Sequence, residues 1–375
     1  EASLYAPEPK HLELIEQAVE RALRRGDIEG AARARYWLGW FFYAFGDQVP
    51  AVEHYAEALR MAETVRDERL VAQLTVNLGQ SLAAAGDYAE ALRELDRGLE
   101  LKQRFESDRA GRHPARRRPR LGFAYALSCK GLLLGDLGRF TDAYRCFDEA
   151  LGTLEGSSHA TEGSCLALLG MVRLFQGDWL GALETAAKAR ATAERVTGPY
   201  VYAMSRTVGG YARFMLERRR DALDEPLHAL KWMEERGTKL YISLNYAYLA
   251  DALEVAGDAE RATRYAHLAI ERAELRDRMG EALAYRTLAR TSARAGRPEQ
   301  ETASYLAKAL RSALARGSAR ELALTELTAS SLRVPAPRAE PESGDAPPAS
   351  GLQQRFHDMG MYAFESVARG LMGSP

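Results

Sequence analysis

Apolar and polar residues alternate with a helical period along most of the chain. Two such stretches, residues 36–45 and 48–59, flank a Gly-Asp pair formed by Gly46 and Asp47. Glycine suits the left-handed residue that ends a helix. An aspartate at this point can cap the next helix by accepting hydrogen bonds from its first amides. The pattern therefore predicts two helices, A and B, joined by a tight turn.

The same pair of helices is predicted again at intervals of about 40 residues. A small residue in helix A is followed seven positions later by the turn glycine at Gly39/Gly46, Gly79/Gly86, Gly131/Gly138, Gly170/Gly177, Ala250/Gly257 and Ala289/Gly296. A further copy fits at Gly210, where Glu217 replaces the turn glycine. Since such units bury their apolar faces on their neighbours, the repeats predict an α-solenoid.

Two alanines of helix B keep a fixed distance from the small residue of helix A. They follow it by twelve and nineteen positions, as in Gly39, Ala51 and Ala58. This pattern resembles tetratricopeptide repeats over roughly residues 10–332. The resemblance implies an all-α, right-handed superhelix of helix-turn-helix repeats. The long repeat is similar to the C-terminal repeats of bacterial class III adenylyl/guanylyl cyclases fused to an ATPase of the STAND type.

The chain divides into three predicted segments. Residues 1–332 form the repeat array, with about seven helix pairs and a half-repeat at each end. Residues 333–351 are a proline-rich linker, and residues 352–375 a helical tail. The tail is predicted as a single helix over 352–371 that docks on the array, because its stripe is too apolar to stay in water. The stripe contains Phe356, Met359, Tyr362, Val367 and Leu371. The stretch 356–361 also resembles the closing segment of the cyclase–ATPase proteins.

Composition argues against a membrane or a bulk nucleic-acid partner. The 375 residues carry a net charge of −1, which gives no general attraction for phosphates. The longest apolar run, residues 36–45, is about half the length of a membrane span. Cys129, Cys146 and Cys165 lack the spacing of a metal site, and their odd number suggests reduced thiols. We therefore expect a cytoplasmic protein.

Motifs that carry catalysis are missing from the sequence. We find no phosphate-binding loop, HExxH, CxxC or GxSxG pattern. Aspartates at the turns are better explained as helix caps than as acids or ligands. We therefore predict no enzymatic activity, cofactor or metal site in this chain, although the resemblance implies that a parent protein could carry a cyclase or ATPase domain upstream.

A basic insertion lengthens the connection between the second and third helix pairs. The segment from Arg109 to Arg120 holds six arginines and two prolines, and no aromatic residue alternates with them. Base stacking is therefore unsupported. The simpler interpretation is a solvated loop, and the functional one is an anion contact. The candidate residues for that contact are Arg112, Arg116, Arg117 and Arg118.

Helix A positions on the inner wall of the superhelix are the main candidates for a binding groove. In tetratricopeptide repeats these positions face the partner, and here they include Tyr36, Trp40, Tyr43, Tyr211, Phe214, Arg286 and Arg290. Their aromatic members could instead belong to the core between repeats. We predict a protein-interaction or sensory module of a larger signalling protein, with a protein or peptide, its own tail or upstream domains as partner. The alternatives are a small-molecule receptor or enzyme using the inner cavity, and a nucleic-acid contact through the arginine loop.

Overall fold

A computed structural model describes residues 9–110, 120–156, 159–196, 198–335 and 351–372. Every regular element in these ranges is helical, which confirms the predicted all-α fold. The array consists of α1 (Pro9–Arg24), α2 (Ile28–Phe45), α3 (Gln48–Thr64), α4 (Glu68–Ala85), α5 (Tyr88–Ala110), α6 (Leu121–Asp136), α7 (Phe140–Leu154), α8 (Ala160–Gln176), α9 (Trp179–Val196), α10 (Pro199–Glu217), α11 (Asp224–Glu235), α12 (Ile242–Val255), α13 (Ala259–Glu274), α14 (Glu281–Arg294), α15 (Glu299–Arg316) and α16 (Ala319–Leu332). None of the described helices combines the length and the apolar character that crossing a membrane requires.

Several turns between A and B helices follow the predicted chemistry. Gly46 and Gly177 end their helices in the left-handed region, at φ +75° and +84°. Asp178 then accepts from the amide of Gly181 at 2.9 Å, as a capping residue should. The predicted cap at Asp47 is wrong, since its side chain makes no capping hydrogen bond to α3.

The fifth repeat departs from the pattern at its turn. Helix α10 ends at Glu217, and the next residue, Arg218, adopts φ +57° without being a glycine. A short 3₁₀ turn, Arg220–Leu223, then leads into α11, which has only 12 residues. The missing turn glycine therefore coincides with a shorter B helix.

The superhelix closes on itself, so that the turns of early repeats meet helices of late ones. A Cβ placed on Gly46 would lie 2.5 Å from the carbonyl carbon of Lys239. The carbonyl of Gly46 accepts from Arg272 at 2.7 Å, and Asp87 pairs with Arg276. The expectation that only neighbouring repeats touch is wrong, because one turn of the superhelix packs against the next.

A buried polar cluster fixes this closure. The carboxylate of Asp136, at the end of α6, accepts from Arg316 at 2.6 Å, from Tyr88 at 2.5 Å and from Arg320. The hydroxyl of Ser318 donates to the backbone carbonyl of Asp136 at 2.5 Å. All five residues are buried. The third helix pair is thereby tied to α15 and α16.

The tail consists of two helices, so the predicted single helix is wrong. Helices α17 (Leu352–Asp358) and α18 (Tyr362–Met372) are separated at Gly360, which has φ +70°. The tail packs on α16 and on the turns at Gly138 and Gly177. Phe356 and Met361 are fully buried, whereas Tyr362 is 64% exposed, because the break turns α18 to a different face.

Candidate functional site

An aromatic cavity lies inside the superhelix, with a volume of about 340 Å³. Helix α2 contributes its C-terminal half, α4 its middle, and α6, α8 and α10 their N-terminal halves. The connection between α11 and α12 closes the ring with Thr238, Leu240 and Tyr241. Five A helices and the connection that leads into the sixth helix pair therefore surround this one cavity. Its size falls within the range of small-molecule sites, about 300–1,000 Å³.

The walls are aromatic and uncharged. Apart from aliphatic side chains, the described lining residues offer rings, amides, hydroxyls and one imidazole, and none of them is Asp, Glu, Lys or Arg. The rings belong to Tyr36, Trp40, Tyr43, Phe45, Tyr125, Tyr200 and Tyr241. The principal polar groups belong to Gln73, Asn77, Gln80, His159, Thr161 and Ser164. Such a surface favours a ligand with an apolar or aromatic body and few hydrogen bonds.

The tyrosine hydroxyls hold the two ends of the ring together. Tyr43 and Tyr241, which are 198 positions apart, approach to 3.5 Å between their hydroxyl oxygens. Tyr200 donates to the carbonyl of Leu240 at 3.0 Å. Burial raises the pKa of Tyr43, Tyr125 and Tyr241 well above its ordinary value. The three phenols are therefore neutral hydrogen-bonding groups at physiological pH.

Backbone strain coincides with the closing segment. Tyr241 precedes α12 and adopts φ +56°, a left-handed backbone conformation that is unfavourable for residues other than glycine. Strain of this kind costs on the order of 1–3 kcal/mol and persists only where surrounding contacts enforce it. Here the contact of Tyr241 with Tyr43, and the packing of the preceding residues Lys239 and Leu240 against Gly46, supply that enforcement. The cavity thus depends on a strained residue for its wall.

A polar network lies at the α4 side of the cavity. The amide of Gln73 donates to Asn77 at 2.8 Å, and Asn77 donates to the hydroxyl of Tyr55 at 3.2 Å. Gln73 also accepts from the ammonium of Lys102 on α5 at 2.7 Å. These hydrogen bonds orient the amides that line the cavity. They also bring one charged group to its wall.

The structure separates the predicted groove residues into two sets. Tyr36, Trp40 and Tyr43 line the cavity. Tyr211 and Phe214 do not line it, because they are buried between repeats, where Tyr211 donates to Asp251 at 2.7 Å.

The two predicted arginines also lie outside the cavity wall. Arg286 pairs with Glu321 in a buried ion pair. Arg290 pairs with Asp251 and with Glu254, the latter at 2.9 Å. Both guanidinium groups are therefore neutralised by carboxylates, on α16 for Arg286 and on α12 for Arg290.

The remaining predicted site residues cannot be placed. Arg112, Arg116, Arg117 and Arg118 lie outside the described residues. Within the described ranges, no group of three or more His, Cys, Asp or Glu side chains could hold a metal ion. Cys129, Cys146 and Cys165 are buried and unbridged.

Sequence reasoning missed one regular set of lining residues. Gln73, Tyr125, Ser164 and Met204 all line the cavity, and each stands six positions before the small residue of its helix A. The predicted inner-wall positions were only three before and one, four and five after that residue. The repeat spacing itself contained this signal, since the same position recurs in four successive repeats.

No family model and no curated protein matches this chain. Its structure is similar to the apo form of RapI, with a TM-score of 0.50 and 15% identity over 71% of this chain and 98% of that one. A STAND protein with a tetratricopeptide repeat sensor from Pyrococcus horikoshii has a TM-score of 0.47 and 12% identity, over 97% of this chain and 55% of that one. This chain thus spans about half of that STAND protein. The fold defines a helical-repeat protein of the tetratricopeptide-like class.

Proposed function

We propose that this chain is a ligand-sensing and partner-binding module without catalysis of its own. The observation that carries the proposal is the neutral aromatic cavity at the place where the superhelix closes. A ligand there would touch five A helices and the α11–α12 connection at once. Because the strained closure depends on contacts between these elements, an occupant would stabilise the closed superhelix. A domain or partner attached to the array would respond to this stabilisation of the closed form.

A matched pair of variants tests whether the cavity binds ligands. The probe is N-phenyl-1-naphthylamine, a neutral aromatic dye whose fluorescence increases in apolar surroundings. Ala44 lines the cavity and is replaced in Ala44→Trp, which should abolish dye binding by filling the space. Ala89, exposed on α5, is replaced in the control Ala89→Trp, which should bind as the parent does. Equal dye binding by both variants, with the helical circular-dichroism spectrum retained, would show that the cavity is not the site.

The proposed parent is a larger signalling protein with a STAND-type ATPase or a class III cyclase domain. Its support is the resemblance of the long repeats and of the segment 356–361. Sequencing the gene upstream of Glu1 tests this part independently. Coding sequence for a nucleotide-binding domain is the expected result, whereas a start codon directly before Glu1 would contradict the proposal.

A further inference from the structure

One cation stands against the wall of the otherwise neutral cavity. Lys102 donates from its ammonium group to Gln73 at 2.7 Å, and Gln73 lines the cavity. A Cβ placed on Gly122, a second lining residue, would lie 3.4 Å from the same nitrogen. The ammonium therefore hydrogen-bonds to a lining residue of α4 and lies beside a second lining residue on α6. Lys102 is thus the charged group placed next to the cavity wall.

The charge of Lys102 is not compensated by a carboxylate in the part of the chain that the structure describes. Among the described residues, the ammonium of Lys102 donates to the amide oxygen of Gln73, and an ammonium can donate three hydrogen bonds. Burial lowers the pKa of Lys102 to about 8, because no neighbouring charge offsets the loss of hydration. At pH 7 the group still carries most of a positive charge. An anion beside the ammonium would stabilise its positive charge in place of the hydration that burial removes.

The helix ends around the cavity favour the same sign of ligand. Helices α6, α8 and α10 all present their first turns to it, through Gly122, Thr161 and Val201. The N-terminus of a helix carries a partial positive charge and amide donors. His159 caps α8 by accepting from the amide of Thr161 at 3.1 Å, whereas Gly198 has no side chain with which to cap α10. The ends of α6 and α10 at the cavity thus lack a side-chain cap, whereas that of α8 has one.

We propose that the cavity binds a small organic acid, with its aromatic body among the tyrosines and its acidic group held by Lys102. The inference rests on the proposed function and assigns a ligand class to the same site. A carboxylate or sulfonate matches one ammonium and the two helix ends without a side-chain cap, and the body matches walls without charged side chains. The volume of about 340 Å³ suits a compact acid rather than a long segment of chain.

Two dyes that differ by one anionic group test the assignment. They are 8-anilinonaphthalene-1-sulfonate and its neutral counterpart without the sulfonate, N-phenyl-1-naphthylamine. Lys102→Met should weaken the binding of the sulfonate roughly tenfold, as expected for a lost charge-assisted hydrogen bond. It should leave the neutral dye unchanged. Lys130→Met, which removes a lysine paired with Asp96 on the neighbouring helix, is the matched control and should affect neither dye.

Each other outcome has a defined meaning. Neutral dye bound in the cavity, with sulfonate binding unaffected by Lys102→Met, would overturn the acid assignment and leave the proposed function standing. Failure of both dyes to bind the parent chain would overturn both proposals. In a displacement assay, 2-naphthoate should remove the sulfonate dye. If only N-acetyl-Leu-Phe displaces it, and the corresponding C-terminal amide does not, the acid would be a peptide chain end, and the small-acid assignment would be wrong.

Discussion

At the scale of single residues, glycines inside helices differ in what surrounds them. A Cβ on Gly39 would lie 2.8 Å from the ring of Tyr55, which is itself 1% exposed and cannot move aside. We expect Gly39→Ala to lower the free energy of unfolding by about 1–3 kcal/mol through overpacking. In the control Gly152→Ala, no atom lies within 4 Å of the new Cβ. That variant should be more stable than the parent, by about 0.5–1 kcal/mol. Urea denaturation of both variants measures whether each change in the free energy of unfolding has the expected sign.

A buried carboxyl should make stability depend on pH. Asp277 accepts from the amide of Ser243 at 2.9 Å and from its hydroxyl at 2.6 Å. Burial nevertheless raises the pKa of Asp277 to about 6. A carboxyl whose pKa is higher in the folded state stabilises the fold fully at pH values below its pKa in the unfolded state, near 4. This stabilising contribution is lost as the pH rises through the pKa in the folded state, about 6.

The variant Asp277→Asn isolates this effect. The difference in free energy of unfolding between variant and parent should shift in favour of the variant by on the order of 2–3 kcal/mol as the pH rises from 4 to 7, because asparagine has no charge to bury. Urea unfolding at the two pH values measures the difference. The same offset between variant and parent at both pH values would contradict the assignment.

At the scale of elements, the tail shows how a helical stripe can be misread. Phe356 and Tyr362 belong to the same predicted stripe, yet Phe356 is 0% exposed and Tyr362 is 64% exposed. The left-handed residue Gly360 breaks the helix and rotates its second half. A helical period alone cannot reveal this rotation, because it assumes one continuous axis. Arg355 adds an ion pair to Glu326 on α16, with one contact at 3.0 Å.

We therefore expect Phe356→Ala to release the tail while the array remains folded. Its buried ring makes the contacts that hold α17, and losing such a ring costs about 3–5 kcal/mol. Amide hydrogen exchange in residues 352–372 should become faster, with the exchange of α2 to α14 unchanged. Tyr362→Ala is the control, and it should leave the protection of the tail as it was. Faster exchange in Tyr362→Ala alone would show that the docking face is a different one.

At the scale of the whole molecule, the contacts between early and late repeats decide how the array unfolds. Asp136 meets Arg316 across 180 positions of sequence, and both side chains are almost fully buried. Removing one partner of a buried ion pair leaves an unpaired charge in the interior. A chain held in this way should unfold more cooperatively than an array with neighbour contacts only.

Asp136→Asn tests this connection. We expect it to lower the free energy of unfolding by about 3–5 kcal/mol and to broaden the transition, because Arg316 and Arg320 would keep their charges. Asp142→Asn, which removes surface ion pairs with Arg139 and Arg145 at the start of α7, should change the midpoint far less. A midpoint for Asp136→Asn equal to that of the control would show that the closure contributes nothing to stability.

The sequence by itself determined the helices, their turns and part of the cavity. Helix period, turn glycines and most caps depend on residues within a few positions of each other, so a local pattern is sufficient to predict them. The resemblance to tetratricopeptide repeats predicted Tyr36, Trp40 and Tyr43 on the inner wall, and they line the cavity.

Only the tertiary structure decided which distant residues complete that wall. Tyr241 reaches Tyr43, and Arg316 reaches Asp136, because each repeat rotates slightly relative to the last until one turn of the superhelix meets the next. This rotation is the sum of many small differences in packing, and no single repeat contains it. The burial of Tyr211, Phe214 and Arg286, and the placement of Lys102 beside the cavity, follow instead from side-chain packing between neighbouring helices and repeats, which the helical period does not specify.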